Sequence, residues 1–177
     1  MRNTFKNDAN RIIKELALLF DLITERPAVF FAGAGRSGLL LRCAAMRFMH
    51  LGLNAHIVGD TLTPPLNNGD LLLIASGSGE TASLVSMARK ARDQGAAVAL
   101  VTTNPSSTLA AVADVLAVLP APTPKAPARD NVVESSQPMG SLFEQGMFLL
   151  FETVTMELMR QRNLSSTDMF RRHANLE

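Results

Sequence analysis

The sequence predicts an α/β fold: a five-stranded parallel sheet with flavodoxin-like strand order between helices, giving a three-layer αβα sandwich. One observation behind this prediction is the alternation of short, continuously apolar strands with stretches of helical spacing, which is typical of a parallel sheet buried on both faces. Another is the short links between helices and strands, such as "DQGA", which suit right-handed crossovers. In such a sheet, ligands bind at the carboxyl ends of the strands, near the point where the strand order reverses.

The elements of this fold follow one another along the chain without an internal repeat. Apolar residues recur at helical spacing in the first segment until Pro27 ends the pattern. The predicted elements, in chain order, are a helix over 7–25, a strand in the apolar run of "AVFFAGAGRSG" that stops in glycines, a helix over 37–51, a short strand in "NAHIVGD", a strand over 71–75, a helix over 80–94, a strand in "AVALVTT", a short helix in "NPSSTLAAVAD", a strand in "VLAVLP", a long helix over 140–163 and a short helix over 165–172.

A single domain accounts for residues 1–177, since this length suits one substantial core. We expect an N-terminal helix (7–25), a sheet core (28–119), a proline-rich loop (120–138) and C-terminal helices (139–173). The loop contains "PAPTPKAPARDNVVESSQP", with five prolines and no periodicity. A stretch that long without secondary structure is uncommon in a compact domain, so we expect it to be functional, interface-forming or mobile.

Composition and charge exclude several classes of protein. Seventeen basic and sixteen acidic residues give a formal net charge of +1, so no strong field attracts nucleic acid or a membrane surface. The lone Cys43 cannot form an internal disulfide, and no apolar run predicts a signal peptide or a membrane span. We therefore expect a cytoplasmic protein with no nucleic-acid or membrane partner, in which a small anionic ligand needs only a local site.

The strand over 71–75 runs directly into "SGSGET", which we call the SGSGET loop (residues 76–81). Gly77 and Gly79 allow the backbone to approach a ligand closely, and Ser76, Ser78 and Thr81 supply hydroxyl donors. The following helix directs free backbone N–H groups to the same place, so hydroxyls and amides together would bind a phosphate. The alternative is a tight turn with Ser78 as the N-cap, which explains one hydroxyl and not three.

Ser37 occupies the corresponding place after the first strand, in "GAGRSG". Adjacent parallel strands would bring Ser37 beside the SGSGET loop, although an isolated serine here would simply cap its helix. The same segment contains G-x-G-x-x-G, a dinucleotide motif whose ribose-binding acid would be Asp60. We disfavour that interpretation because it leaves the second polar strand end unexplained, and no Gly-Lys-Ser/Thr segment of a Walker A loop occurs.

Taken together, these segments resemble the sugar isomerase (SIS) domain. Within that family, the resemblance is to 6-phospho-3-hexuloisomerases. The segments that carry it span the chain in order: "GAGRSG", "AMRFMHLG", "HIVGDTLTPPL", "SGSGETASLV", "QPMGSLFEQ" and the ending "RRHANLE". Those enzymes interconvert 3-hexulose 6-phosphate and fructose 6-phosphate in the ribulose monophosphate route of formaldehyde fixation. The resemblance implies an αβα sandwich, no metal, no nucleotide or other cofactor, and a homotetramer (a dimer of dimers) with active sites between subunits.

The resemblance also implies roles for individual residues. Glu144 would be the catalytic base, and His173 would act in its own or a neighbouring subunit's site. Gly35, Arg36 and Thr61 are weaker candidates for substrate binding. The residues implied to hold the phosphate are Ser37, Ser76, Gly77, Ser78, Gly79 and Thr81.

The chemistry requires a base because moving a carbonyl from C3 to C2 removes one proton from carbon and returns another through an enediol. Glu144 lies near the start of an apolar helix, where it could equally be a favourable acid of the first helical turn. For His173, a solvated chain terminus is the alternative. For the function of the whole protein, the sequence leaves two alternatives. One is a different phosphosugar isomerase, such as the arabinose 5-phosphate type, and the other is a non-catalytic sugar-phosphate-binding protein.

Overall fold

The computed structural model describes residues 18–125 and 133–176. Residues 18–24 are helical (α1), so the rest of the helix predicted from residue 7 lies outside the described residues. The remaining elements are β1 (Val29–Gly33), α2 (Gly35–His50), β2 (Ala55–Ile57), β3 (Leu71–Ala75), α3 (Ala82–Asp93), β4 (Ala97–Thr102), β5 (Val115–Val118), α4 (Ser141–Gln161) and α5 (Ser166–Phe170).

The five strands form one parallel sheet in the order β2-β1-β3-β4-β5, which confirms the predicted flavodoxin-like fold. β1 and β3 are paired along their whole length, with Gly33 opposite Ala75. Their glycine-rich carboxyl ends therefore lie side by side, as the sequence predicts for Ser37 and the SGSGET loop.

Two hydrophobic cores lie on opposite faces of the sheet. The strands bury alternate residues on each face, such as Phe31 and Leu73 on one and Phe30 and Leu72 on the other. The first core is covered by α1, α2 and α4, and the second by α3 together with turns after β4. This double burial explains why the strands are continuously apolar in sequence.

One predicted element is wrong. The segment "NPSSTLAAVAD" is predicted to be helical, but residues 105–112 form a series of turns. Their backbone hydrogen bonds mix i+3 and i+4 spacing around Leu109, which is fully buried in the second core. The polar side chains that precede Leu109 are engaged with the SGSGET loop, as described below, and this competes with a regular helix.

Candidate active site

A cavity of about 390 Å³ opens at the carboxyl ends of β1 and β3. It lies where the strand order reverses, because β1 leads into α2 on one face of the sheet and β3 leads into α3 on the other. Its walls come from both glycine-rich strand ends, from residues 123–125 and from the segment that opens α4. Elements that are distant in sequence therefore share one solvent-accessible site.

The SGSGET loop forms the floor of this cavity, with Ser76, Gly77, Ser78 and Thr81 among its lining residues. Ser76 Oγ lies 3.4 Å from Thr81 Oγ1 and accepts a hydrogen bond from Gly79 N at 3.2 Å. Gly79 itself lies behind the lining at φ +70°, where an added Cβ would be 2.0 Å from the Ser107 hydroxyl oxygen. Only glycine fits there, so the loop's tight path depends on it.

The loop's carbonyl groups are bound by the end of β4 and the turns that follow. Gly77 O accepts hydrogen bonds from Thr102 Oγ1 at 3.1 Å and from Thr103 Oγ1 at 2.8 Å. Ser78 O accepts one from Asn104 Nδ2 at 3.3 Å. The Gly77 and Ser78 amides, in contrast, donate no hydrogen bond within residues 18–125 and 133–176. The carbonyl groups of the loop therefore attach it to β4 and the following turns, while the Gly77 and Ser78 amides remain available to a ligand.

Three helices begin at this cavity, and none has a side-chain cap. The N-cap positions of α2, α3 and α4 are Ala34, Thr81 and Gly140, and none accepts a hydrogen bond from its helix through its side chain. α5, which begins away from the cavity, has a complete capping box on Ser165. Free N–H groups and three positive helix-dipole ends therefore meet at one place, which favours an anion.

This geometry decides two alternatives that the sequence left open. Ser78 is not the N-cap of α3, since that position belongs to Thr81. Ser37 is not the cap of α2, since it lies inside the helix and lines the cavity together with Gly35 and Arg36. Neither serine is therefore an N-cap, and the Ser78 hydroxyl accepts a hydrogen bond from Glu80 N at 3.3 Å within the turn.

Glu144 lies on the first turn of α4, over the SGSGET loop. The preceding residue, Phe143, packs against that loop, with Cδ1 3.4 Å from a Cβ built on Gly77. The Glu144 side chain is 13% exposed, and its Oε2 accepts a hydrogen bond from Arg36 Nε at 2.6 Å. Arg36 belongs to α2 and is 73% exposed. The carboxylate is thus a partly buried group held by a solvent-facing guanidinium at the wall of the cavity.

His173 and Thr61 do not line this cavity. His173 lies beside a separate cavity of about 270 Å³, where its ring stacks between His50 (5.4 Å between ring centroids) and Phe170 (5.5 Å). Thr61 is exposed on a turn after β2. Within one chain, the structure brings Glu144, Gly35, Arg36, Ser37 and the SGSGET loop together, and it leaves His173 and Thr61 apart from them.

Other charged residues near the strand ends are engaged elsewhere. Glu80 points away from the cavity, and hydrogen bonds from the Thr108 hydroxyl and amide lower the pKa of its carboxyl group. Asp60, which a dinucleotide site would need for the ribose, is paired with Arg42 through Arg42 Nη1 (3.1 Å) and Nη2 (2.5 Å). Neither carboxylate lines the cavity with Glu144.

Several lining residues are missed by the sequence interpretation. Thr123 and Lys125 come from the proline-rich loop, and Met139 precedes α4 with a left-handed φ of 55°. No periodicity or motif singles them out; the only signal is that the loop is too long to be a simple connection. The hydrogen-bonding role of Thr102, Thr103 and Asn104 is likewise invisible in the sequence.

Among the described residues, no group of three or more His, Cys, Asp or Glu side chains is arranged to hold a metal ion. None of the described helices combines the length and the apolar character that a membrane span requires.

Comparison with known proteins gives consistent matches. Residues 22–142 match the model of the SIS domain. The chain is 47% identical to a 3-hexulose-6-phosphate isomerase of Bacillus subtilis (strain 168), over 99% of this chain and 94% of that protein. It is 46% identical to one of Mycobacterium gastri, over 93% and 81% of the two chains. A crystal structure from Methanococcus jannaschii, from which that molecular function was inferred, superposes with a TM-score of 0.80 at 32% identity, over 93% and 86% of the two chains.

Proposed function

Since the chain belongs to the SIS domain family and is an isomerase, we propose that it interconverts D-arabino-3-hexulose 6-phosphate and fructose 6-phosphate. The observation that carries this proposal is the single cavity in which an anion-binding loop and a carboxylate meet. The relatives named for this reaction support the choice of substrate. Residues 1–177 then form one SIS domain, and the enzyme acts in the ribulose monophosphate route of formaldehyde fixation.

In this proposal the SGSGET loop and Ser37 bind the phosphate. The hydroxyls of Ser37, Ser76, Ser78 and Thr81 donate hydrogen bonds to its oxygens, and the amides at Gly77 and Ser78 add further donors. The uncapped N-terminus of α3 stabilises the negative charge. The phosphate anchors one end of the substrate, so the carbon chain extends along the cavity wall toward α4.

Glu144 acts on the carbon chain. Its carboxylate removes the C2 proton of the 3-hexulose, and the electrons move through C3 onto O3 to give a 2,3-enediolate. The O2 hydroxyl proton passes to O3, and the protonated Glu144 returns a proton to C3 as the carbonyl forms at C2. Only Oε2 is engaged with Arg36, which leaves Oε1 for the proton. Arg36 then balances the negative charge that develops on the enediol oxygens. Gly35 lies beside this pair, while Thr61 would contact substrate only across a subunit boundary.

His173 acts in a neighbouring subunit's site in this proposal, where it aids opening of the fructose 6-phosphate ring. α4 runs from Glu144 at the SGSGET loop to Met159 beside His173. Two copies packed antiparallel along α4 would therefore place the partner's His173 near Glu144. Exposed apolar side chains on α2, α4 and α5 support assembly through this face, into a homotetramer built as a dimer of dimers: they are Leu39, Met46, Met49, Phe148, Leu149, Met156 and Phe170.

The test is turnover of purified protein with D-arabino-3-hexulose 6-phosphate, followed through a dehydrogenase that reports fructose 6-phosphate. Arabinose 5-phosphate and ribulose 5-phosphate are assayed in parallel as alternative substrates. We expect turnover of the hexulose phosphate at least about 100-fold faster than of the pentose phosphates, because the proposed site is matched to its transition state. Faster turnover of arabinose 5-phosphate would assign the other isomerase activity, and tight phosphosugar binding with no turnover would indicate a binding protein.

A further inference from the structure

The cavity has a second cationic residue besides Arg36, and it comes from the proline-rich loop. Lys125 lines the cavity two residues after Thr123, whose Oγ1 is 3.6 Å from a Cβ built on Gly77. The start of this loop is fixed, because Val133 N donates a hydrogen bond to Pro120 O at 3.0 Å and Ala121 is buried. Residues 123–125 thus reach the SGSGET loop from a firm attachment at the end of β5.

The balance of charge in the cavity makes Lys125 significant. Arg36 and Glu144 neutralise each other through their ion pair, and the SGSGET loop residues that line the cavity provide only neutral hydroxyls and amides. Lys125 takes part in no ion pair among the described residues. A phosphosugar brings a phosphate close to a dianion at neutral pH. Among the described residues that line the cavity, Lys125 is the one whose side chain can supply a full compensating charge.

We propose that Lys125 is a substrate-binding residue that contacts the phosphate in this cavity. The ammonium group adds a charge-assisted hydrogen bond to a site otherwise built from neutral donors. Lys125 touches the phosphate and not the reacting carbons, so it contributes to binding in the ground state and the transition state alike. This inference rests on the proposed function only in taking the bound anion to be a phosphate.

The test compares Lys125→Gln, which keeps the length and removes the charge, with Lys125→Arg, which keeps the charge. Inorganic phosphate is the probe, and its dissociation constant is measured by titration calorimetry without turnover. Lys90→Gln is the matched control, because Lys90 lies in the last turn of α3, outside the cavity. We expect Lys125→Gln to raise the dissociation constant for phosphate about 5- to 20-fold, Lys125→Arg to restore most of the affinity, and Lys90→Gln to leave it unchanged.

Kinetics with the hexulose phosphate provide the second readout. Uniform binding predicts that Lys125→Gln raises KM by a similar factor and leaves kcat within about threefold of wild type. An unchanged dissociation constant for phosphate, or a collapse of kcat with KM unchanged, would overturn the inference. A protein that turns over no hexulose phosphate but loses phosphate affinity on Lys125→Gln would sink the proposed activity and support the role of Lys125.

Discussion

Glu144 is the residue on which the proposed chemistry depends. Glu144→Gln keeps the size of the side chain and a hydrogen-bonding oxygen but removes the base. We expect kcat to fall by about 10²- to 10⁴-fold, the usual contribution of a positioned general base, with little change in KM. Glu157→Gln is the matched control, since Glu157 lies on the same helix and is paired with Arg160 away from the cavity. A Glu144→Gln enzyme with wild-type kcat would assign the proton transfer to another group.

Among individual residues, the sequence predicts the cavity residues that directly follow a strand. It does not predict those that other segments bring to the cavity. Ser76, Ser78 and Thr81 could be predicted because glycines and hydroxyls that directly follow a buried strand are typical of an anion-binding turn. The contact between Arg36 and Glu144 joins residues 108 positions apart, so it depends on how α2 and α4 pack. Lys125 lies in a segment without periodicity, and only the folded chain brings it to the cavity.

The turns after β4 are the element that sets the shape of the SGSGET loop. Asn104 is buried and donates from Nδ2 to Ser78 O. Asn104→Ala should leave that carbonyl without its side-chain partner, costing about 1–3 kcal/mol in free energy of unfolding. We also expect weaker phosphate affinity, since the loop would be less firmly held. Both are measurable, by denaturant unfolding and by phosphate titration.

Ser106→Ala is the control for that experiment, because Ser106 is exposed and contacts Asn104 only through its backbone amide. If Asn104→Ala and Ser106→Ala have equal stability and equal phosphate affinity, then these turns do not position the loop. The helix predicted for this segment is wrong for the same physical reason. Its polar side chains hydrogen-bond to the loop and to nearby backbone, which competes with helical hydrogen bonding.

The contact of the C-terminal segment, Arg172 and His173, with the end of α2 makes stability depend on pH near neutrality. His50 is only 3% exposed, and burial, reinforced by Arg47 and His173, lowers the pKa of its imidazole below 6.5. Because the unfolded chain binds the proton more readily, His50 contributes its full stability above pH 6.5 and loses it as the pH falls toward the folded-state pKa. The slope from this one group is at most about 1.4 kcal/mol per pH unit.

Thermal unfolding between pH 7.5 and pH 5.5 measures this effect. We expect the wild-type Tm to fall on acidification below about pH 6.5 and the fall to be shallower in His50→Asn. The carboxylates whose pKa values are lowered, such as Glu80 and Asp168, lose their contribution only at more acid pH. An identical slope in wild type and His50→Asn would show that His50 does not couple folding to protonation in this range.

At the scale of the whole molecule, the fold could be predicted because the three central strands, β1, β3 and β4, are buried on both faces. That burial leaves a sequence signal of continuous apolar runs ended by glycine, and the observed strand order follows the prediction. The surfaces through which subunits would assemble are harder to recognise in the sequence. Exposed apolar residues such as Met46, Met49 and Met156 lie at helical positions that a buried face would also occupy, and only the packed structure places them outside the core.

Because His173 is proposed to act across a subunit boundary, two inactive variants are expected to complement each other in a mixed oligomer. Glu144→Gln and His173→Asn chains should each be impaired alone. Co-expressed, they should recover about a quarter of wild-type activity, since half of randomly formed dimers are mixed and each mixed dimer has one intact site. Co-expression of Glu144→Gln with the double variant is the control and should recover nothing. A co-expressed mixture no more active than the average of its parents would place His173 outside the neighbouring site.

The proposed reaction passes a proton through an enediol at this cavity, and exchange with solvent deuterium distinguishes that route from a direct hydrogen shift. Fructose 6-phosphate is incubated with the protein in D₂O over many turnovers, and the recovered sugar is examined by NMR. A carboxylic acid at the wall of an open cavity exchanges its proton with solvent, so we predict that deuterium accumulates at C3 of fructose 6-phosphate. Interconversion with the 3-hexulose phosphate while C3 keeps its original hydrogen would rule out this mechanism, because the hydrogen would then move without reaching an exchangeable base.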